Sequence, residues 1–426
     1  MECLKVIGGN LLCGTVEISG AKNAVLPILA ATVVHGGTYV LHHCPDITDV
    51  SYAIEIIHTL GGQVVRSGNT LLVDTGSLNN WMVPQHLMLR MRASVLFLGA
   101  LLARFGRAVI AMPGGCPLGR RPIDLHLQAL AQMGAAVTLC DEEIRCEAEC
   151  LHGCEITLPF PSVGATENTL LAATAVRGNV VVKNAAREPE ITDLIRFLQR
   201  MGAEIDGVGT QVLRICGSAP LKDAAHTILP DRIETATFLC AAAACGGDVT
   251  LTGTDPGLLY PVTEVLSNAG CVIRQTRDGI RLCSDGCLQA VGEIRTAPYP
   301  GFPTDAQALL MAAMLRAEGE TCFFETIFER RMSHAAQLRR FGGQIETIGS
   351  TALVRGVRRL YGAQAEAGDL RAAAALIVAA LQAPEESEIV GIKHLRRGYD
   401  NLEEKLLRLG AEISEKTTGN SLEDGV

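Results

Sequence analysis

Residues 194–206 read Leu194-Ile195-Arg196-Phe197-Leu198-Gln199-Arg200-Met201-Gly202-Ala203-Glu204-Ile205-Asp206. This segment contains the pattern from which the fold can be predicted. Apolar residues at helical spacing lead up to Met201, and a glycine at position 202 suits the left-handed conformation that ends a helix. The residues that follow alternate between apolar and polar, which is typical of a strand. The segment therefore predicts a surface helix that turns directly into a β-strand.

The same helix-end pattern recurs along the whole chain. An apolar residue is followed by glycine and a small residue at 60–62, 133–135, 201–203, 269–271, 341–343 and 409–411. Successive glycines in these segments are 73, 68, 68, 72 and 68 residues apart. A constant period of this kind indicates a repeat architecture, here of six units.

Each unit also contains an earlier helix that is rich in Ala and Leu and apolar on nearly every side, so we expect it to be buried. These helices are predicted at Ala24–Val34, Ala93–Ala103, Asn168–Val176, Thr235–Ala244, Ala306–Arg316 and Ala372–Ala380. A unit then reads strand, buried helix, strand, surface helix, strand, strand. Because 426 residues exceed what one core usually supports, the sequence predicts an α/β fold with two domains of three units.

The composition is that of a globular protein, with 48% hydrophobic and 19% charged residues. A net charge of −9 argues against a nucleic-acid or membrane-surface binder, because phosphate groups select for clustered positive charge. The apolar runs at 95–102 and 372–381 are shorter than the roughly 18 residues that span a bilayer. The N-terminal residues lack a signal-peptide pattern, so we expect a cytoplasmic protein.

The chain has 15 cysteines, an odd number, which favours free thiols in a reducing compartment. Cys140, Cys146, Cys150 and Cys154 lie near His152, but their spacing does not match the usual zinc-ligand pairs. The segment that begins at Cys140 and contains Cys146 resembles an ordinary hairpin. We predict no metal site, and the absence of a Walker or dinucleotide loop predicts no cofactor.

Charged or polar residues stand at the start of every predicted buried helix: Lys22 with Asn23, Arg92, residues 162–166, Asp231 with Arg232 and Glu234, Thr304 with Asp305, and Asp369 with Arg371. Simple N-capping explains Ser162, Thr304 and Asp369. It does not explain Lys22, Arg92 and Arg371, whose cations oppose the helix dipole. These cations indicate an anionic ligand, which helix N-termini also attract.

Ten short motifs in the chain match a known family. They are Ser-Gly-Ala-Lys-Asn (19–23), Met-Arg-Ala-Ser (91–94), Pro-Gly-Gly-Cys (113–116), Arg-Pro-Ile-Asp-Leu-His (121–126), Ser-Val-Gly-Ala-Thr (162–166), Asn-Ala-Ala-Arg-Glu-Pro-Glu (184–190), Leu-Pro-Asp-Arg-Ile-Glu-Thr (229–235), Phe-Pro-Thr-Asp (302–305), Asp-Leu-Arg (369–371) and Arg-Gly-Tyr (397–399). In this order, from about residue 5 to about residue 414, they resemble the UDP-N-acetylglucosamine 1-carboxyvinyltransferase family of enolpyruvyl transferases.

The resemblance implies both an architecture and a reaction. The architecture is two inside-out α/β barrel domains, each of three βαβαββ repeats with buried helices, which meet at a substrate cleft. One domain would contain residues 22–229, the other residues 1–21 with 230–419, and residues 420–426 would form a tail. The reaction is transfer of the enolpyruvyl group of phosphoenolpyruvate to the 3-hydroxyl of UDP-N-acetylglucosamine with release of phosphate, the first committed step of peptidoglycan synthesis. The oligomeric state is left open.

The resemblance also implies substrate-binding roles. Phosphoenolpyruvate would be bound by Lys22, Asn23, Arg121 and Arg397. UDP-N-acetylglucosamine would be bound by Arg92, Arg121, Pro122, Ile123, Asp124, Leu125, Ser162, Val163, Gly164, Asp305 and Ile327. Arg331, Arg371, Asp231, Glu234 and Asp369 would support the site. Arginine suits phosphate and carboxylate because its planar fork donates two parallel hydrogen bonds.

Two residues are candidates for the chemical steps. Asp305 could accept the proton of the sugar hydroxyl if burial raises its pKa, or it could simply cap a helix; the spacing leaves both open, and the resemblance favours catalysis. Cys116 follows two glycines and lies near arginines, which lower the pKa of a thiol and make it reactive. The resemblance implies that Cys116 acts as general acid toward the enol and can form a covalent adduct with phosphoenolpyruvate.

Three positions depart from the family pattern. Phe160 stands where many relatives have a lysine near the nucleotide, Pro117 follows the cysteine, and Ala236 replaces a common glycine. They favour an alternative, a paralogue of low activity that senses a UDP-sugar or binds a partner protein. Transfer to shikimate 3-phosphate, by the sister enzyme without the loop cysteine, is a second alternative. An RNA-end-processing repeat protein is a third, which the net charge disfavours.

Overall fold

The computed structural model describes residues 2–112, 123–140, 142–217 and 219–417. These residues form a mixed α/β fold, as the sequence predicts. The strands are β1 (Glu2–Ile7), β2 (Leu12–Glu17), β3 (Thr38–His42), β4 (Gln63–Ser67), β5 (Thr70–Asp74), β6 (Met82–Val83), β7 (Arg107–Ala111), β8 (Ala136–Cys140), β9 (Glu143–Glu147), β10 (His152–Thr157), β11 (Arg177–Lys183), β12 (Glu204–Asp206), β13 (Val212–Cys216), β14 (Ala224–Thr227), β15 (Gly247–Thr252), β16 (Val272–Thr276), β17 (Gly279–Ser284), β18 (Gly292–Arg295), β19 (Glu320–Phe324), β20 (Gln344–Ile348), β21 (Thr351–Arg355), β22 (Gln364–Glu366), β23 (Glu386–Val390) and β24 (Glu412–Thr417).

The α-helices are α1 (Lys22–Val34), α2 (Thr48–Thr59), α3 (Gln85–Met88), α4 (Leu96–Phe105), α5 (Asp124–Gln132), α6 (Val163–Ala173), α7 (Pro189–Met201), α8 (Arg232–Cys245), α9 (Tyr260–Asn268), α10 (Thr304–Ala313), α11 (His334–Leu338), α12 (Leu370–Ala380) and α13 (Leu402–Arg408). Short 3₁₀ turns at Arg92–Val95, Pro256–Leu259, Met314–Arg316 and Arg339–Phe341 adjoin α4, α9, α10 and α11, and a fifth, Ile392–Arg397, lies between β23 and α13.

All six sheets in the described residues contain four strands with the same pairing pattern, one parallel pair at one edge followed by two antiparallel pairings. In the sheet β10-β11-β13-β12, for example, the first two strands are parallel and the last two pairings are antiparallel. The parallel pair is joined by a buried helix, and a second helix leads into the terminal hairpin. This crossover is what a parallel pair requires, since a tight turn can join only antiparallel strands.

Strands that are distant in sequence complete several of these sheets. β1 pairs with β23 and β24, and β2 lies parallel to β15, so the N-terminal segment joins the C-terminal half of the chain. Likewise β14 lies parallel to β3. The described residues accordingly separate into two compact units, one with residues 2–19 and 230–417 and the other with the described part of 20–229.

The helices predicted to be buried form the core of each unit. In the second unit α4 packs against α1 and α6, and in the first unit α10 packs against α8 and α12. Every residue of α8 except Cys245 is buried. Small side chains allow the close approach: a Cβ on Gly99 of α4 would lie 2.4 Å from Asn168 Oδ1 of α6, so only glycine fits there.

All six buried helices start two to five residues away from their predicted first residues. The second begins as the 3₁₀ turn Arg92–Val95 before α4, and the fifth ends as the 3₁₀ turn Met314–Arg316 after α10. The third, α6, starts at Val163 rather than at Asn168 because polar residues continue the helix into the core. Thr166 and Thr169 are buried there, and their hydroxyls donate to backbone carbonyls one turn earlier.

The cysteine-rich segment forms the predicted hairpin, in which β8 pairs antiparallel with β9. Within the described ranges, no group of three or more His, Cys, Asp or Glu side chains could hold a metal ion. No described helix is both long and apolar enough to cross a membrane.

Candidate active site

Lys22 is the first residue of α1 and forms a largely buried ion pair. Its Nζ lies 2.6 Å from Oδ2 of Asp49, and the two side chains are 13% and 2% exposed. Asp49 belongs to the first turn of α2, where the helix dipole also stabilises a carboxylate. This partner was missed from the sequence because an acid in the first turn of a helix is ordinary. Asn23, next in the chain, is exposed.

Arg92 begins a 3₁₀ turn and is half-buried near His126 of α5. Burial of the imidazole, with a contribution from the positive charge of Arg92, lowers the pKa of His126 to about 4. Asn168 donates from Nδ2 to the carbonyl of Val95 (2.9 Å), and the same nitrogen lies 2.9 Å from Nδ1 of His126. Since an amide nitrogen can only donate, Nδ1 accepts and the imidazole proton is on Nε2.

The imidazole of His126 faces the start of α6. A Cβ on Gly164 would lie 3.1 Å from His126 Nε2, so glycine permits this contact. Ser162 caps the helix as predicted, although its Oγ accepts the Ala165 N–H at the long distance of 3.4 Å. The ring therefore places an N–H beside the helix start where the sequence predicts the UDP-sugar.

The remaining predicted residues of this unit differ in exposure. Val163 and Gly164 are half-buried, as is Leu125, whereas Ile123 is buried and Asp124 exposed. Phe160, which precedes α6, is 43% exposed. Cys116, Arg121 and Pro122 lie outside the described residues.

Asp305 lies in the first turn of α10 between two arginines. Arg331 Nη2 donates to Oδ1 at 2.6 Å, and Arg371 Nη2 donates to Oδ2 at 2.8 Å. The arginine side chains are only 3% and 7% exposed, whereas that of Asp305 is 25% exposed. Each carboxylate oxygen thus has its own guanidinium, and the Asp305 side chain is less buried than those of its two arginines.

The prediction that Thr304 caps this helix is wrong, and the capping alternative for Asp305 is excluded as well. Pro303 is the N-cap residue and α10 has no side-chain cap. Thr304 instead donates its hydroxyl to Glu325 Oε2 at 2.8 Å, and Asp305 is held by its arginines. The reason is that both side chains find partners more than twenty positions away, which outweigh the local backbone N–H groups.

The expectation that burial raises the pKa of Asp305 is also wrong in its net direction. Burial does act to raise the pKa, but the charges and hydrogen bonds of Arg371 and Arg331 outweigh it and hold the pKa well below its usual range. Asp305 is therefore ionised and a weak base as it stands. The pKa of Asp305 therefore depends on how closely the two guanidinium groups hold its carboxylate.

Arg371 is fixed by a buried chain of polar groups. Its Nη1 lies 3.3 Å from the Tyr399 hydroxyl, which lies 2.8 Å from Oγ1 of Thr237. Asp369 caps α12 as predicted, since its Oδ1 accepts the N–H groups of Arg371 and Ala372. Arg397 is half-buried at the end of the 3₁₀ turn Ile392–Arg397, and Ile327 is half-buried after β19.

Glu234 of α8 forms a further buried cluster. Lys405 donates from Nζ to Glu234 Oε1 and to Ser19 Oγ, both at 2.6 Å, and the Ser19 N–H donates to Glu234 Oε2 at 2.7 Å. Asp231 caps α8 through the N–H groups of Ile233 and Glu234. Burial raises the pKa of Glu234 to about 7, although Lys405 opposes the shift.

The pKa of Glu234 predicts a pH-dependent stability. Between about pH 4.5 and 7 the folded chain holds this proton and the unfolded chain does not, so the contribution of Glu234 to the free energy of unfolding falls as pH rises through this window. Above pH 7 it is constant. Glu234→Gln removes this trend. When urea midpoints are measured from pH 5 to 8, the midpoint of the variant should therefore rise relative to that of the wild type up to about pH 7. Parallel profiles for both proteins would contradict the assignment.

Known proteins are similar to this chain over nearly its whole length. A sequence profile of EPSP synthase (3-phosphoshikimate 1-carboxyvinyltransferase) matches residues 6–406. The UDP-N-acetylglucosamine 1-carboxyvinyltransferase of Thermodesulfovibrio yellowstonii is 44% identical over 414 residues, which are 97% of this chain and 99% of the relative. The enzyme of the same name from Magnetococcus marinus is 46% identical over 415 residues, with the same coverage.

The chain belongs to the UDP-N-acetylglucosamine 1-carboxyvinyltransferase family of enolpyruvyl transferases. The resemblance read from the ten motifs is thereby confirmed. The enolpyruvyl transferase NikO from Streptomyces tendae has the same fold, with a TM-score of 0.89 at 26% identity over 98% of this chain and 99% of that one. As a member of this family, the chain is a transferase.

Proposed function

We propose that this enolpyruvyl transferase transfers the enolpyruvyl group of phosphoenolpyruvate to the 3-hydroxyl of UDP-N-acetylglucosamine, with release of phosphate. The observation that carries the proposal is the partly exposed Asp305 side chain paired with two buried arginines, in a chain whose relatives bear that enzyme's name. The product would enter peptidoglycan synthesis as its first committed intermediate.

The transfer requires the hydroxyl oxygen to bond to C2 of the donor as C3 gains a proton; C3 then loses a proton, the C2–O bond to phosphate breaks, and the phosphate leaves with the proton of the hydroxyl. Asp305 takes the hydroxyl proton, and its role depends on Arg331 and Arg371. When an anionic donor attracts these guanidinium groups, less positive charge acts on the carboxylate and its pKa rises toward its usual range. A base that gains strength only when the donor is bound avoids binding the proton too early.

The donor's anionic groups need cations, and the enol carbon needs a proton. Lys22, Asn23, Arg121 and Arg397 are proposed to bind phosphoenolpyruvate, with Arg331 and Arg371 in support. Cys116 is proposed to donate a proton to C3 and to recover it when phosphate leaves. The net change is one alcohol and one enol phosphate giving one enol ether and one phosphate.

The start of α6 is proposed to bind the UDP-sugar. Free N–H groups at a helix N-terminus suit a pyrophosphate, and Arg92 with Ser162, Val163 and Gly164 contributes to this site. The other proposed contacts are Arg121, Pro122, Ile123, Asp124, Leu125, Asp305 and Ile327. Support comes from the neutral His126, which adds an N–H donor beside Gly164.

The finer architecture is also a proposal. Each compact unit would be an inside-out α/β barrel whose sheets surround three helices, with domains at 22–229 and at 1–21 with 230–419. This architecture is supported by the burial of α8 on all sides and by the strand-pairing pattern that the six described sheets share.

The direct test is to identify the product by mass spectrometry after incubation with both substrates. The expected result is a UDP-sugar that carries one carboxyvinyl group. Loss of both substrates without such a product, or no reaction at saturating concentrations, would refute the proposal. The relatives' names favour this acceptor over shikimate 3-phosphate.

Cys116→Ser should abolish covalent modification by an epoxide such as fosfomycin, because a serine hydroxyl is a far weaker nucleophile than a thiolate near cations. The matched control is Cys287→Ser, which removes an exposed thiol elsewhere and should be modified like the wild type. Peptide mapping by mass spectrometry measures both. Equal modification of the Cys116 variant would remove Cys116 from the mechanism.

A further inference from the structure

Glu325 is a buried carboxylate with an unusual number of hydrogen bonds. It follows β19 and is 4% exposed. Its Oε1 accepts from the Thr296 hydroxyl at 3.1 Å and from the N–H groups of Ile327 and Phe328 at 2.8 and 3.1 Å. Its Oε2 accepts from the Thr304 hydroxyl at 2.8 Å. Burying a carboxylate is costly unless it is hydrogen-bonded or paired, and these four donors stabilise it.

The four donors belong to three separate segments of the fold. Thr296 follows β18, Thr304 starts α10, and Ile327 with Phe328 forms the loop after β19. Thr326 reinforces the arrangement, because its N–H donates to Thr296 Oγ1 at 2.9 Å and its hydroxyl to the Thr296 carbonyl at 2.6 Å. One carboxylate therefore sets the position of the loop relative to the helix.

Both sides of this connection lead to Asp305. Thr304 directly precedes Asp305 in the first turn of α10. On the loop side, the Phe328 ring lies 5.3 Å from the guanidinium carbon of Arg331, and Arg331 is the partner of Asp305 Oδ1. A change at Glu325 would thus let the Asp305 carboxylate and its partner Arg331 move independently of each other.

We propose that Glu325 is a positioning residue, which aligns the Ile327 loop and Asp305 so that the acceptor hydroxyl meets the carboxylate. Glu325 touches no reacting atom; it acts through Thr304 and through the loop. The inference rests on the proposed function, because it assumes that the acceptor contacts Ile327 and Asp305.

A carboxylate is required at this position because all of its partners donate. In Glu325→Gln the amide nitrogen cannot accept, so either the loop or Thr304 loses its acceptor. Thr304→Val removes only the bond to the helix, whereas Thr304→Ser keeps the hydroxyl. Glu320→Gln is the matched control, since Glu320 lies on β19, is 56% exposed and pairs with Arg355 on the surface.

The experiment is steady-state kinetics of the full-length chain with each substrate varied in turn. Loss of a hydrogen bond to a charged group predicts that Glu325→Gln and Thr304→Val lower kcat/KM for UDP-N-acetylglucosamine about 10- to 150-fold. The KM for phosphoenolpyruvate should rise less than that for UDP-N-acetylglucosamine, since Arg331, the donor-binding group that Glu325 reaches through Phe328, has only a supporting role there. Thr304→Ser and Glu320→Gln should behave like the wild type.

The double variant Glu325→Gln/Thr304→Val separates positioning from a general loss of structure. Because both changes break the same connection, their effects on kcat/KM should be strongly non-additive. Additive effects, an equal rise in KM for both substrates, or wild-type kinetics of Glu325→Gln would each overturn the inference. If the wild-type chain itself fails to use UDP-N-acetylglucosamine, it is the proposed function that fails.

Discussion

Asp305→Asn is expected to lower the turnover number about 10²- to 10⁴-fold, the usual contribution of a positioned proton acceptor. Asparagine has nearly the same shape and keeps one oxygen acceptor for an arginine, but it cannot take a proton from the sugar hydroxyl. Binding of UDP-N-acetylglucosamine should survive, because the amide can still hydrogen-bond the hydroxyl. Steady-state kinetics and calorimetric titration with the UDP-sugar measure the two properties separately.

The control for this variant is Asp248→Asn. Asp248 also forms a carboxylate–guanidinium pair, with Arg281 in the same unit, but both side chains are more than 40% exposed. Surface pairs of this kind contribute little, so its turnover and stability should match the wild type. Turnover of Asp305→Asn within about threefold of the wild type would remove Asp305 from the proton transfer.

Lys22→Met is expected to have two large effects. It leaves the buried carboxylate of Asp49 without the ammonium that lies 2.6 Å away, which should lower the free energy of unfolding by about 3 kcal/mol. It also removes a charged donor for phosphoenolpyruvate, which should raise the KM for this substrate about 10- to 150-fold. Urea unfolding and initial rates measure these effects.

The double variant Lys22→Met/Asp49→Asn distinguishes the two roles of the lysine. Neutralising Asp49 removes the buried negative charge that Lys22 faces in the wild type, so most of the lost stability should return. The high KM for phosphoenolpyruvate should remain, because no cation has been restored. Recovery of both properties in the double variant would mean that Lys22 has a structural role only.

Much of the fold follows from the repeated helix-end pattern and the apolar helices, because both are local signals of secondary structure. The start of α6 shows the limit of such signals. Thr166 and Glu167 look like a polar loop in the sequence, yet they are buried in the helix. Only the packing around them, which lies in other parts of the chain, decides this.

The site shows the same division. The sequence identifies Asp305, Arg331 and Arg371 as candidates, and the structure places all three in one cluster. The sequence does not reveal that the arginines pair with Asp305, because they lie 26 and 66 positions away. For this reason the predicted direction of the Asp305 pKa shift was wrong. Glu325 gives no local signal at all, since its role depends entirely on Thr296 and Thr304.

Phosphate release from phosphoenolpyruvate, with UDP-N-acetylglucosamine or shikimate 3-phosphate as the acceptor, measures both the activity and the choice of acceptor. We expect release that depends on the UDP-sugar and none above background with shikimate 3-phosphate. Release only with shikimate 3-phosphate would contradict the acceptor assignment. Release with neither acceptor, together with measurable binding of the UDP-sugar, would contradict catalysis and support a UDP-sugar sensor, in which Phe160 and Pro117 would be the first residues to change.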